Sequence, residues 1–128
     1  MASAEEFFAI DMRVGTVLQA EPFPEARKPS IKLLIDFGAD IGHRRSSAQL
    51  TVHYTPEQLV GRQIVAAVNL GPRRIAGFTS DVLVLGAMPS PTEVVLLSLE
   101  RKWVHISYRR CYFNRNCTNE CRLCSSKG

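Results

Sequence analysis

The first 100 residues of this 128-residue chain contain no cysteine. No disulfide framework and no thiolate metal site can hold that part together, and it is long enough to bury an apolar core without either. Long apolar runs are also missing. The longest fall well short of the roughly 18 residues of a helical membrane span. The N-terminus, MASAEEFFAIDM, has two glutamates where a secretory signal would have basic residues ahead of an apolar stretch. The cytoplasm is the expected compartment. Catalytic signatures are absent as well: there is no G-x-S-x-G, no H-E-x-x-H and no G-x-x-x-x-G-K-[ST]. His43, His53 and His105 stand in no nucleophile–base spacing. Strand alternation puts His43 and Ser47 on one face, but no third group orients them. The chain reads as a non-enzyme, and no cofactor is expected.

A basic body is the next absence. The formal net charge is +4, which on its face suggests a nucleic-acid partner. Yet residues 101–128 hold seven Lys/Arg and one acid, net +6, while residues 1–100 hold nine basic and eleven acidic residues, net −2. Attraction to a polyanion must therefore come from a local patch, not from total charge. All four cysteines, Cys111, Cys117, Cys121 and Cys124, share the basic tail. The expected organisation is one domain over 1–100 and an atypical basic, cysteine-containing tail over 101–128.

What is present in the body is strand rhythm. Glu5–Ile10 reads as a helical turn or an arm against a barrel. Met12–Ala20 alternates, with Gly15 suggesting a bulge or bend. Glu21–Ser30 carries three prolines and is a loop that presents Phe23, Arg27 and Lys28. Ile31–Phe37 is the clearest strand, with Ile31, Leu33, Ile35 and Phe37 on one face and Lys32 and Asp36 on the other. Phe37 is expected in the core, and Phe23 and Phe78 to be exposed. His43–Val52 reads as a third strand with an exposed polar half. Thr55-Pro56-Glu57-Gln58 has the pattern of a capping box with proline at the first helical position, and Gly61 ends that helix after about two turns. Strands follow over Arg62–Leu70, Thr79–Ala87 and Glu93–Leu99. Ile64–Val68, Val82–Leu85 and Val94–Leu97 are apolar on both faces, as a closed barrel with a covering partner requires. Three strands, a short helix, then further strands is the order of an OB-fold. The expected fold is thus mainly β: a five-stranded Greek-key barrel with a short helix between strands three and four, plus extra strands.

Within this frame Asn69–Met88, NLGPRRIAGFTSDVLVLGAM, is the most informative stretch. Two apolar runs flank a Gly-Pro break, the adjacent pair Arg73 and Arg74, Gly77 and the small polar pair Thr79-Ser80. Cations and small donors on a sheet edge suit phosphate and sugar contacts better than chemistry on a substrate. The same order also fits an ordinary hairpin with solvated arginines.

RVGTV at Arg13–Val17, SSAQL at Ser46–Leu50, NLGPRRIAGFTSDVLVLG at Asn69–Gly86 and EPFPEARKPSIKLLIDFG at Glu21–Gly38 together resemble the free-standing tRNA-binding domain family, in particular its CsaA-type members. The family includes the C-terminal extension of methionyl-tRNA synthetases. The resemblance runs from about Ile10 to Leu97. It implies an OB-fold homodimer that binds tRNA by shape, and for CsaA-type members an export-related chaperone that holds unfolded preproteins and contacts the translocase, without membrane insertion. Carried onto matching positions, the RNA-binding candidates are Ser46, Ser47 and Gln49 on the third strand, and Asn69, Arg73, Arg74 and Ser80 in the basic stretch. Arg44 and Arg45 are neighbouring additions. Hydroxyls and amides can bond ribose or base edges, and arginine pairs phosphate or stacks. A second reading is a preprotein-binding chaperone without physiological RNA binding.

The resemblance stops near Leu99-Glu100. A reading-frame shift near Arg101 would explain the change of composition. Cys121-x2-Cys124 has zinc-ligand spacing, and Cys117, Cys111 or His105 could complete a set, but C-x5-C-x3-C-x2-C is not a common zinc pattern. Reduced thiols are the expected state, with no metal. Trp103, Val104, Ile106 and Tyr108 could add a strand or cover the barrel.

Overall fold

The computed structural model describes residues 1–101 and 110–112. In chain order the elements are α1 (Ala4–Ala9), β1 (Met12–Pro22), β2 (Ile31–Asp36), β3 (His43–Ala48), α2 (Pro56–Leu59), β4 (Gln63–Ala67), β5 (Arg73–Ile75), β6 (Phe78–Ser80), β7 (Leu83–Val84), β8 (Gly86–Ser90) and β9 (Glu93–Leu96). Five strands form one antiparallel sheet in the order β3-β2-β1-β4-β7. β5–β6 and β8–β9 are separate two-stranded hairpins. The sheet nearly closes into a barrel, and α2 lies between the third and fourth strands, as the OB order requires.

The barrel curves because β1 changes partners along its length. Its first half, Met12–Thr16, pairs with β4, and its second half, Thr16–Pro22, pairs with β2. The irregularity that allows this falls between Val17 and Gln19, not at Gly15. Gly15 instead leaves room for the core. A Cβ there would sit 2.4 Å from the Ile35 Cγ2 and 2.7 Å from the Phe37 ring. Alternation in β2 drives Ile31, Leu33 and Ile35 inward, where they meet Val17, Phe37, Leu50, Leu59, Ile64, Ala66, Val82 and Leu96. Phe37 is core, as expected.

α1 is capped by Ser3: its hydroxyl accepts from the Glu6 amide, and the Glu6 carboxylate accepts from the Ser3 amide. α2 is shorter than its sequence pattern suggests, with a single turn at Pro56–Leu59. The Thr55 amide does donate to the Gln58 side chain. The helix ends early because the next residues are drawn into the sheet. Gly61, at φ 88°, donates to the Val17 carbonyl, and Val17 donates to the Arg62 carbonyl.

The expected strand over Thr79–Ala87 is three pieces, β6, β7 and the start of β8. Asp81 and Val82 leave the hairpin and, with Ser80, bond β3, which breaks the run. The expectation of two-sided burial holds for β4, where Gln63, Ile64, Ala66 and Ala67 are buried. It fails for the later strands within this chain: Leu83, Val95 and Leu97 are exposed, as is Met88.

Near the free end of β1, Arg13 holds Asp11 through two bonds of 2.9 and 3.0 Å and Asp40 at 2.8 Å. The Arg13 bonds, reinforced by the charges of Arg13 and Arg110, keep the Asp11 carboxyl below the usual carboxylate range despite partial burial. Arg110 bridges to Arg13, and the Cys111 amide donates to the Met12 carbonyl. Burial raises the pKa of the Cys111 thiol. The readings made for Trp103, Val104, His105, Ile106, Tyr108, Cys117, Cys121 and Cys124 lie outside the described residues.

Gly15→Ala tests the packing account. An alanine gains about 0.5–1 kcal/mol over glycine in chain entropy, but overpacking a filled core costs about 1–3 kcal/mol, and the Ile35 methyl has no space to yield. Urea unfolding of the variant is expected to show a net loss of stability. Equal or greater stability would contradict the contact.

Candidate functional site

Gly71, at φ 88°, and Pro72 turn the chain out of β4 and start the β5–β6 hairpin. Its register pairs Arg73 with Ser80, Arg74 with Thr79 and Ile75 with Phe78, leaving Ala76-Gly77 as a two-residue loop. Both loop residues have positive φ, 47° and 81°, as a type I′ turn demands. Gly77 adopts this freely, whereas Ala76 pays about 1 kcal/mol. Arg73 and Arg74 are exposed on the first strand of the hairpin, and Arg74 also donates to the Gly77 carbonyl at 3.3 Å.

The hairpin is tied to the barrel through β3. The Asp81 amide donates to the Arg45 carbonyl at 2.8 Å, and the Arg45 amide donates to the Asp81 carboxylate at 3.3 Å. The Ser47 amide donates to Ser80 Oγ at 3.2 Å, and Ser46 Oγ donates to the Val82 carbonyl at 3.0 Å. Ser80 Oγ donates a longer bond, 3.4 Å, to the same carbonyl. These bonds join β3, the first strand of the sheet, to residues 80–82, just ahead of its last strand, across the opening of the barrel.

This geometry divides the candidate residues. Arg44, Arg45, Gln49, Arg73 and Arg74 are exposed, and Ser47 is half-buried. Ser46 and Ser80 are buried, Ser46 with only 1% of its surface exposed. Their hydroxyls are engaged within the seam. Asn69 is exposed, and its side chain also makes bonds within the chain. Its side-chain carbonyl accepts from the Asp11 amide at 2.8 Å, and its amide donates to the Ala9 carbonyl at 2.8 Å. It clips the α1–β1 junction to the foot of the hairpin.

The structure adds Lys32 to the site. Its ammonium lies 4.6 Å from the Phe23 ring centroid and 5.2 Å from that of Phe78, and the two rings meet edge to face at 5.4 Å. Phe23 is 2% exposed, contrary to the exposed position expected from its proline-rich loop. The Phe23 amide donates to the Ser30 carbonyl, which pins the loop base, and Phe78 and Lys32 cover the ring. The signal for Lys32 was in the sequence: the β2 alternation that buries Ile31, Leu33 and Ile35 turns Lys32 outward. What alternation cannot show is that Phe78, 46 positions later, folds over the same spot.

Residues 12–105 match the family of tRNA binding domains. The chaperone CsaA from Bacillus anthracis is 53% identical, with a TM-score of 0.76 over 80% of this chain and 93% of that one. The CsaA chaperone of Picrophilus torridus is 42% identical, with a TM-score of 0.74 over 80% of this chain and 94% of that one. The methionine–tRNA ligase of Methanococcus aeolicus is 38% identical over 97 residues, 76% of this chain. The chain spans only 14% of that ligase's length.

Removing the Ser46 hydroxyl isolates the seam. The Val82 carbonyl keeps its longer bond from Ser80, so Ser46→Ala is expected to cost about 1 kcal/mol, the low end for a buried acceptor that loses a donor. Thermal melting should fall by about 4 °C, while Gln49→Ala leaves it unchanged. An unchanged melting point for Ser46→Ala would contradict the seam.

Proposed function

The chain belongs to the tRNA binding domain family and to its CsaA-type branch, and from that premise we propose that it is a non-catalytic tRNA-binding protein that also acts as an export-related chaperone. The observation that carries the RNA reading is the rigid basic hairpin, with exposed Arg73 and Arg74, tied to a strand whose Arg44 and Arg45 are also exposed. In a body with net negative charge, these exposed arginines supply the local positive charge that phosphate binding needs. Ser47 and Gln49 add polar groups at its border. Buried Ser46 and Ser80 and the committed Asn69 hold this surface in shape. Binding of this kind reads backbone position and overall shape, with little sequence readout. The working form is a homodimer in the cytoplasm.

The exposed apolar side chains of the last strands support both the homodimer and a second reading. Leu83, Met88, Val95 and Leu97 are exposed within the chain, and apolar groups gathered on one stretch favour a protein partner. That partner is a second copy, an unfolded preprotein or the translocase. In the second reading, preprotein binding is the physiological activity and RNA binding is not.

Salt dependence separates the two. Each phosphate contact releases counterions, so tRNA affinity falls steeply with salt. Arg73→Ala combined with Arg74→Ala is expected to weaken tRNA binding and to reduce the logarithmic salt slope by about two, one per lost contact. Unchanged affinity in the double variant would remove the hairpin from the site. Titrating an unfolded preprotein into the tRNA complex tests the second reading. It is favoured if the preprotein binds with little salt dependence and tRNA binds only at low salt.

A further inference from the structure

The outer face of β1–β3 and the β5–β6 hairpin enclose two adjoining cavities. One, of about 250 Å³, is lined by Gln19, Glu21, Lys32, Leu34, Arg45 and Phe78 among others. The second, of about 350 Å³, is lined by Phe23, Glu25, Lys32, Arg45, Phe78 and Thr79, with the Ala76-Gly77 turn at its rim. Lys32, Arg45 and Phe78 belong to both cavities and form the rib between them.

Charge decides what this rib suits. Lys32 and Arg45 are matched by Glu21 in one cavity and Glu25 in the other, so the site has no net positive charge with which to draw in a polyanion. It offers an aromatic ring, two cationic donors, and a carboxylate in each cavity. A ring stacks a base, a carboxylate accepts from an exocyclic amino group, and a cation between two bases meets their linking phosphate. Paired bases present no free face, so a duplex cannot stack on the ring.

We infer that an unpaired dinucleotide step of RNA seats across Phe78, one base in each cavity, with the linking phosphate against Lys32 and Arg45. The inference rests on the tRNA-binding reading and assigns a single-stranded part of the RNA to this site. Arg73 and Arg74 hold the flanking backbone. Bases with an exocyclic amino group, cytosine, adenine and guanine, are preferred to uracil, because Glu21 and Glu25 accept from that group. Binding at the rib has a shallow salt dependence, and the steeper slope for whole tRNA comes from the hairpin arginines.

Fluorescence anisotropy with labelled ribohomohexamers, a short blunt RNA duplex and whole tRNA tests this on the full chain. Hexacytidylate and hexaadenylate are expected to bind several-fold more tightly than hexauridylate, and the duplex is expected not to displace them. Loss of one stacked base costs about 5- to 150-fold, so Phe78→Leu should weaken hexamer and tRNA binding within that range. Phe78→Tyr should restore both. Phe78 covers Phe23, so circular dichroism establishes that Phe78→Leu is folded. Lys32→Gln, which keeps both rings, provides a second variant and should weaken hexamer binding. If tRNA binds but the hexamers do not, or if Phe78→Leu and Lys32→Gln leave hexamer affinity unchanged, the dinucleotide site is overturned and the tRNA reading stands. If neither tRNA nor hexamers bind, both fall. If an unfolded polypeptide binds and Phe78→Leu abolishes that binding while hexamers remain unbound, the rib belongs to a protein partner and the inference is overturned.

Discussion

A short seam closes the barrel, and both the core and the candidate site depend on it. Arg45, Ser46 and Ser47 of β3 meet Ser80, Asp81 and Val82 through backbone, hydroxyl and carboxylate bonds of 2.8 to 3.3 Å. Without it the first and last strands of the sheet would be open edges, and Val82 would lose its place in the core. A bond of this kind contributes only about 1 kcal/mol net. Its weight comes from burial: a seam donor or acceptor left unpaired in the barrel wall would cost more than the bond supplies. This explains why small hydroxyl residues lie where strand alternation alone would place something apolar.

The seam also fixes the hairpin. Because Ser80 and Asp81 are bonded to β3, Phe78 and the Ala76-Gly77 turn are held over the outer face of β2, where Lys32 meets the Phe23 and Phe78 rings. A cation held over a ring adds about 0.5–2 kcal/mol, depending on its exposure to water, so the cluster orders the proline-rich loop as well as the hairpin. The positive φ of Ala76 is the local strain in this arrangement. The result is a pre-shaped surface with arginines at its edge and an aromatic rib at its centre, the division of labour expected where cations position a nucleic acid and rings take its bases.

The barrel was legible in the sequence because period-two alternation is a local signal: Ile31–Phe37 and the capping pattern at Thr55–Gln58 both declare their conformation over a few residues. Non-local choices were not legible. Gly15 carries a bulge signal, yet its cause is the approach of Ile35 and Phe37 from another strand. The helix before Gly61 was expected to run about two turns and runs one, because Val17 recruits the Gly61 and Arg62 backbones. Phe23 sits in a loop whose composition suggests exposure, and two distant side chains bury it. In the site, the arginines could be read because charge favours the surface. The roles of Ser46, Ser80 and Asn69 could not be read, because a hydroxyl or amide that bonds within the fold and one that meets RNA look alike in sequence. The family match added the fold and the class of partner, but it cannot separate those two uses.

The central claim is that tRNA meets the face formed by β2, β3 and the β5–β6 hairpin, and that the exposed apolar strands are left for protein. Amide hydrogen exchange with and without saturating tRNA tests this most directly. The account predicts slowed exchange in residues 32–36, 43–49 and 73–80, with Leu83–Leu97 unchanged. Protection confined to Leu83–Leu97, with the hairpin and third strand unaffected, would contradict it.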